Sequence, residues 1–232
     1  MKYVFKKRNE SVADPAAIER MAKEFGVSHL LAELLCVRGI LADTGAFLNP
    51  DIRNMADSHL LRDMKKAVEL VRSHIENKNK IVVFADYDSD GVNAAVILYL
   101  TLKKMQADVQ VYLPRRAEGY GLSVGAVNKI AGEGAKLLIT ADCGISNIEE
   151  IRLAKELVMD VVLTDHHECP ATLPGADAIL NPKREGETYP FRELCGGGVV
   201  FKLACALLGR EAFELIDFAA VATIGDVVPL VN

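Results

Sequence analysis

Acidic residues gather at three short places in this sequence: Asp86-Tyr87-Asp88-Ser89-Asp90-Gly91, Asp142-Cys143-Gly144 and Asp165-His166-His167-Glu168. Each stands directly after a short aliphatic run. Brought into one cleft, so many carboxylates would repel one another unless cations lay between them. Oxygen-rich ligands joined by imidazoles suit hard divalent ions, Mn²⁺ or Mg²⁺, better than thiolate-bound metals. The chemistry to expect is that of a hard-metal site.

Each segment also has a plainer reading. Asp86 to Gly91 has the look of a calcium loop or a simple turn. The calcium loop needs a bidentate Glu at its twelfth position, which counted from Asp86 is Ile97, so that version fails. Asp142 has the type of a helix cap, but Ser146, with Glu149 three residues on, fits the cap better and leaves Asp142 for the cleft. A lone loop histidine would mean little, whereas His166 and His167 stand together behind Asp165. Cys143 lacks a histidine partner or helix start that would make it a thiolate nucleophile, and reads as a small buried residue.

Strands and helices must carry these groups to one place. The runs IVVFA (81–85), VQVYL (109–113), KLLIT (136–140), DVVLT (160–164) and AIL (178–180) have strand length, and helix-length amphipathic segments separate most of them. That alternation predicts an α/β fold, a parallel β-sheet flanked by helices. In such a sheet ligands bind beyond the carboxyl ends of the strands, where the acidic segments stand. Residues 1–60 read as a small helical N-terminal segment, with Asp14 as cap and Pro15 in the first turn. Residues 61–232 form the main domain.

DYDSDG (86–91), ADCG (141–144), TDHH (164–167) and IGDVVPL (224–230) resemble, in order, the four motifs of the DHH phosphoesterases. LPRRAEGYGL (113–122), NPK (181–183), YPF (189–191) and CGGGVVFKL (195–203) are similar to the RecJ branch of that superfamily. The resemblance implies that Asp88, Asp90, Asp142, His166 and Asp226 ligate two divalent cations, Mn²⁺ or Mg²⁺, with Asp142 bridging. It assigns the scissile phosphate to His167 and places Asp86 and Asp165 behind the ligands as orienting residues. The implied reaction is stepwise 5′ to 3′ hydrolysis of single-stranded DNA by activated water, in recombination and repair, with repair or replication proteins as partners. RecJ relatives continue into a DHHA1 domain and an OB-fold, which this chain is expected to lack because it stops after the fourth motif.

Two other readings stand beside that one. Small-substrate DHH phosphatases and oligoribonucleases usually carry a His in the first motif, and here Phe84 and Ala85 precede Asp86. A noncatalytic scaffold of the same fold would not need the complete ligand set.

Composition sets outer bounds. The chain has 232 residues, half of them apolar, enough for a sizeable core. Its net charge of −5 argues against broad nonspecific DNA binding, though bound cations would offset the acidic site. Candidate phosphate contacts are Arg115, Arg116, Lys183 and Arg184, with Gly197 at a glycine-rich helix start that could offer N–H groups to an anion. Tyr120 is a candidate stacking residue. No apolar run reaches membrane-spanning length, and the five cysteines lack a paired spacing; the expected setting is the cytoplasm, with reduced thiols and no membrane.

Overall fold

The structure, a computed structural model, describes residues 14–41, 44–115, 119 and 121–230. The chain divides into two compact units, Met1–Met55 and Ala56–Asn232. In the first, α1 (Pro15–Phe25) starts as expected: Asp14 accepts the Ala16 N–H and Pro15 takes the first turn. Helices α2 (His29–Val37) and α3 (Thr44–Leu48) follow, and Ile18, Met21, Ala32 and Leu35 form a small core.

The second unit carries five parallel strands: β1 (Ile81–Ala85), β2 (Val109–Tyr112), β3 (Leu137–Ala141), β4 (Asp160–Thr164) and β5 (Ala178–Leu180). These are the five expected runs, with β3 displaced by one residue so that Ala141 pairs with Ala85 and Thr164. Strand order is β2-β1-β3-β4-β5. The chain path therefore reverses between β1 and β3, the place where open sheets of this kind leave a crevice at their carboxyl edge.

Helices cover both faces. Val82, Phe84, Leu138 and Val161 turn toward α6 (Val124–Gly132) and α7 (Ile148–Glu156). Side chains alternate along a strand, so the other face receives α4 (Met64–Glu76), α5 (Ser89–Lys104) and α8 (Gly196–Leu208), with α9 (Ile216–Gly225) packed on α5 and α8. The strands β1 and β3 are buried throughout, which explains their unbroken apolar runs. Among the described residues no helix is long and apolar enough to cross a membrane.

One expected cap is absent. Helix α7 begins after Asn147 rather than Ser146. The Asn147 side chain instead ties the chain to Leu122, accepting its N–H at 3.3 Å and donating to its carbonyl at 2.9 Å.

Candidate metal centre

Strand register starts the site. Because Ala85, Ala141 and Thr164 lie level across β1, β3 and β4, the next residues, Asp86, Asp142 and Asp165, leave the sheet side by side. Asp142 does so at φ 61°, in the left-handed region that Asp enters more readily than most residues. After β1 the chain turns sharply into α5. A Cβ on Gly91 would lie 2.4 Å from the carbonyl oxygen of Asp86, so the turn closes only with glycine. Asp88 caps α5 by accepting the Gly91 N–H at 2.9 Å, and Asp90 enters its first turn.

Two further helix ends complete the cluster. At the start of α8 the Gly196 and Gly197 N–H groups donate to Asp90 Oδ2 and Oδ1, both at 2.6 Å. Such close approach requires glycine: a Cβ at 196 would lie 2.5 Å from Asp142 Cβ, and one at 197 would lie 2.5 Å from Ala222 Cβ. The expectation that Gly197 serves a substrate phosphate is therefore corrected, since its N–H is taken by an anion from the chain itself. At the end of α9, Gly225 permits a similar approach to Ser89, and Asp226 caps the helix. Its Oδ2 lies 3.6 Å from His166 Nε2, while Asp142 Oδ1 and Asp90 Oδ2 lie at 3.2 and 3.7 Å from the same nitrogen.

The two histidines differ. His166 is buried, and neither ring nitrogen has a hydrogen-bond partner; its 3.2 Å approach to Asp142 Oδ1 is not aligned as a hydrogen bond. His167 bonds Asp165 Oδ1 through Nδ1 at 2.7 Å. Asp165 also accepts the N–H groups of His166, His167 and Ile145. Burial alone would raise its carboxyl, but the His167 bond and charge, aided by those amides, hold it below the usual range. The bond to Asp165 in turn raises the His167 imidazole, outweighing its partial burial, so Nδ1–H is the donor.

Electrostatics test whether a cation belongs among these groups. Burial raises the carboxyls of Asp86 and Asp90, and it pushes Asp142 up to about 10 with the help of neighbouring Asp90 and Asp88. Among the described residues no Lys or Arg pairs with Asp86, Asp88, Asp90, Asp142 or Asp226, whereas Asp160 and Asp177 at the opposite edge share Lys155. Three of the five buried side-chain atoms lacking a partner among the described residues are Asp142 Oδ1 and the two nitrogens of His166. Unmade bonds of this kind are costly unless something else satisfies them. Three groups have ligand atoms within 4.8 Å of one another: Asp86-Asp88-Asp142, Asp90-His166-Asp226 and Asp142-His166-His167. The donor set fits hard divalent cations. Asp86, expected behind the ligands, offers an oxygen to the same cluster as Asp88.

Because ligation requires the Asp142 carboxyl, pushed up to about 10, to give up its proton, Mn²⁺ affinity should rise between pH 5 and pH 8. Calorimetric titration across that range checks it. An affinity independent of pH would contradict the protonated resting state.

The remaining candidates are dispersed. Arg115 is exposed beyond β2, and Arg116 and Tyr120 lie outside the described residues. Lys183 pairs with Glu168 at 3.3 Å, and Arg184 is buried against Asp63 at 2.7 Å rather than lying on the surface. Cys143 is buried, and burial drives its thiol well above the ordinary value, so it supplies no thiolate. Sequence reading quoted Asn181 in NPK without giving it a role; its Nδ2 donates to the His167 carbonyl at 2.9 Å while its Oδ1 accepts the Lys183 N–H at 2.8 Å. Its place directly after a strand was the available signal.

Comparison with known proteins agrees with this geometry. Residues 80–225 match the model described as DHH family, N-terminal domain. The single-stranded-DNA-specific exonuclease RecJ of Bacillus subtilis (strain 168) is 41% identical over 94% of this chain, and that of Escherichia coli (strain K12) 33% identical over 87%. The chain spans 28% and 37% of those two proteins. Among solved structures, an exonuclease RecJ bound to manganese aligns with a TM-score of 0.67 and 35% identity over 73% of this chain and 44% of its own. RecJ from Thermus thermophilus in complex with Mn²⁺ aligns with a TM-score of 0.77 and 28% identity over 95% of this chain and 32% of its own. With more than half of the sequence matched, and three acidic strand ends inside that span and Asp226 at its border, this chain belongs to the DHH family.

Proposed function

We propose that this chain is the hydrolytic part of a two-metal phosphodiesterase that degrades single-stranded DNA as an exonuclease. The observation that carries this reading is Asp142 Oδ1, buried and without a partner, in a carboxylate common to two of the three ligand groups. Asp86 and Asp88 would hold one cation, Asp90, His166 and Asp226 the other, and Asp142 both. Such a pair supplies Lewis acidity for in-line displacement at phosphorus, activating water and stabilising charge on the attacking and leaving oxygens. The names and bound manganese of the RecJ relatives support the substrate and the metal.

The chain's own groups have separate tasks. Main-chain N–H groups of Gly196 and Gly197 fix both oxygens of Asp90, so the carboxylate presents one geometry. Asp165, its carboxyl held below the usual range, keeps the His167 ring oriented through Nδ1 and favours its protonated form. With Nδ1 committed to Asp165, Nε2 is the nitrogen through which His167 donates to a phosphoryl oxygen. No side-chain nucleophile is required.

End-labelled single-stranded DNA incubated with the chain and Mn²⁺ should release mononucleotides, with chelation stopping release and duplex DNA resisting it. No release, or release indifferent to chelation, overturns the reading. Faster turnover of dinucleotides than of long strands would favour an oligoribonuclease-type enzyme. Asp165→Asn should lower the rate roughly 10- to 100-fold, the usual effect of removing an orienting partner, with Mn²⁺ affinity less affected.

A further inference from the structure

We propose that a cleft beyond the carboxyl end of β5 is a second phosphate-binding position, taking a backbone phosphate of the strand whose scissile bond lies at the metal centre. This rests on the phosphodiesterase reading above. The cleft has a volume of about 820 Å³, and Arg62, Lys183, Arg184 and Arg192 line it together with Glu168, Glu185 and Glu187.

Its charges are unevenly satisfied. Glu187 is held by main-chain N–H groups of Arg62, Thr188 and Tyr189, and Glu168 pairs with Lys183. Arg62 and Arg192 instead donate to main-chain carbonyls, those of Glu185 and Lys183, both at 3.3 Å, and neither meets a carboxylate among the described residues. Arg184 is 7% exposed. Its Nη1 donates to Asp63 Oδ2 at 2.7 Å and to the Ile179 carbonyl at 2.6 Å, yet its Nε is buried with no partner. All three guanidinium groups line the cleft, Arg184 with one donor left over and Arg62 and Arg192 tethered only by carbonyls, so an oxyanion entering it meets N–H groups that carboxylates have not taken. Phosphate matches the arginine fork by accepting two parallel N–H bonds.

Position favours the strand as the source of that phosphate. Glu168 follows His167 directly, and Asn181 bonds the His167 carbonyl on one side and the Lys183 N–H on the other. The cleft therefore continues the carboxyl edge of the sheet from the metal centre toward β5. A strand leaving the metals along that edge passes over it.

The test uses the full chain and the double variant Arg62→Ala/Arg192→Ala, two exposed side chains outside the metal cluster. Mn²⁺ binding and dinucleotide hydrolysis should be unchanged. The KM for a long oligothymidylate should rise at least about tenfold, the effect of losing even one of the two sets of charge-assisted hydrogen bonds. Its affinity, read by fluorescence anisotropy without turnover, should show a log K against log salt slope shallower by about 0.7 for each phosphate no longer neutralised. An unchanged slope and KM with hydrolysis intact overturns the cleft and leaves the metal reading standing. Failure of the parent to hydrolyse either substrate overturns the metal reading, and the anisotropy slope still decides the cleft. Calorimetry with inorganic phosphate separates the sources: phosphate binding abolished in the variant while strand affinity stays constant would assign the cleft to free phosphate and overturn the strand assignment. If the double variant fails to fold, Arg192→Gln alone should show about half of the slope change.

Discussion

Asp142→Asn should lower Mn²⁺-dependent hydrolysis by more than about 100-fold, beyond the range seen when only an orienting partner is removed. The same substitution should leave the metal-free protein folded. Asn keeps the volume and tolerates the left-handed backbone at φ 61°, which Ala would not do as readily. In the absence of metal the Asp142 carboxyl is raised from 3.8 to about 10, chiefly by burial, so the folded chain holds a proton that the unfolded chain releases. Stability from this group therefore falls as pH climbs through that window, and the Asn variant should show a flatter decline. Added Mn²⁺ should raise the melting temperature of the parent, by about 2.7 kcal/mol of stabilisation at a hundred times the dissociation constant, and should do little for the variant. Thermal melts with and without Mn²⁺ at several pH values read all three effects. A variant that melts well below the metal-free parent, or that Mn²⁺ still protects fully, would contradict the role given to Asp142.

Gly196→Ala is the second large effect. The new Cβ would lie 2.5 to 2.7 Å from Asp142 Cβ, Oδ1 and Cγ, so Asp142 or the start of α8 must move. The first displaces one ligand, and the second also disturbs the N–H bond to Asp90 Oδ2. Mn²⁺ affinity should fall at least roughly 10- to 100-fold, and overpacking should cost about 1–3 kcal/mol of stability. Gly132→Ala makes the control: nothing lies within 4 Å of a Cβ there, and Ala in a helix is favoured over Gly by about 0.5–1 kcal/mol. Unchanged Mn²⁺ titrations of Gly196→Ala would mean that the α8 start does not hold the site.

The inner strands β1 and β3 could be read from sequence because burial on both faces leaves little room for anything but aliphatic and β-branched residues, and the acidic strand ends followed from the geometry of parallel sheets. Asp226 was different. It reaches His166 only because Gly225 lets the end of α9 close on Ser89, an approach between residues 136 positions apart that no local pattern reveals; the family resemblance alone pointed to it. Gly197 shows the opposite limit. A glycine-rich helix start announces an anion but not whose, and here the anion is Asp90, 107 residues earlier. Ser146 met the local rule for a cap, yet the Asn147 side chain is drawn to Leu122 and the helix starts one residue later. Arg184, read as a candidate phosphate contact, is buried because Asp63 and the Ile179 carbonyl accept its guanidinium. In each case long-range packing chose among options that local chemistry left open.

Anomalous diffraction from crystals grown with Mn²⁺ tests the metal centre most directly. Two peaks are expected, one against Asp86 and Asp88, the other against Asp90, His166 and Asp226, with Asp142 contacting both. A single peak, or ions bound away from Asp142, would contradict the two-metal mechanism.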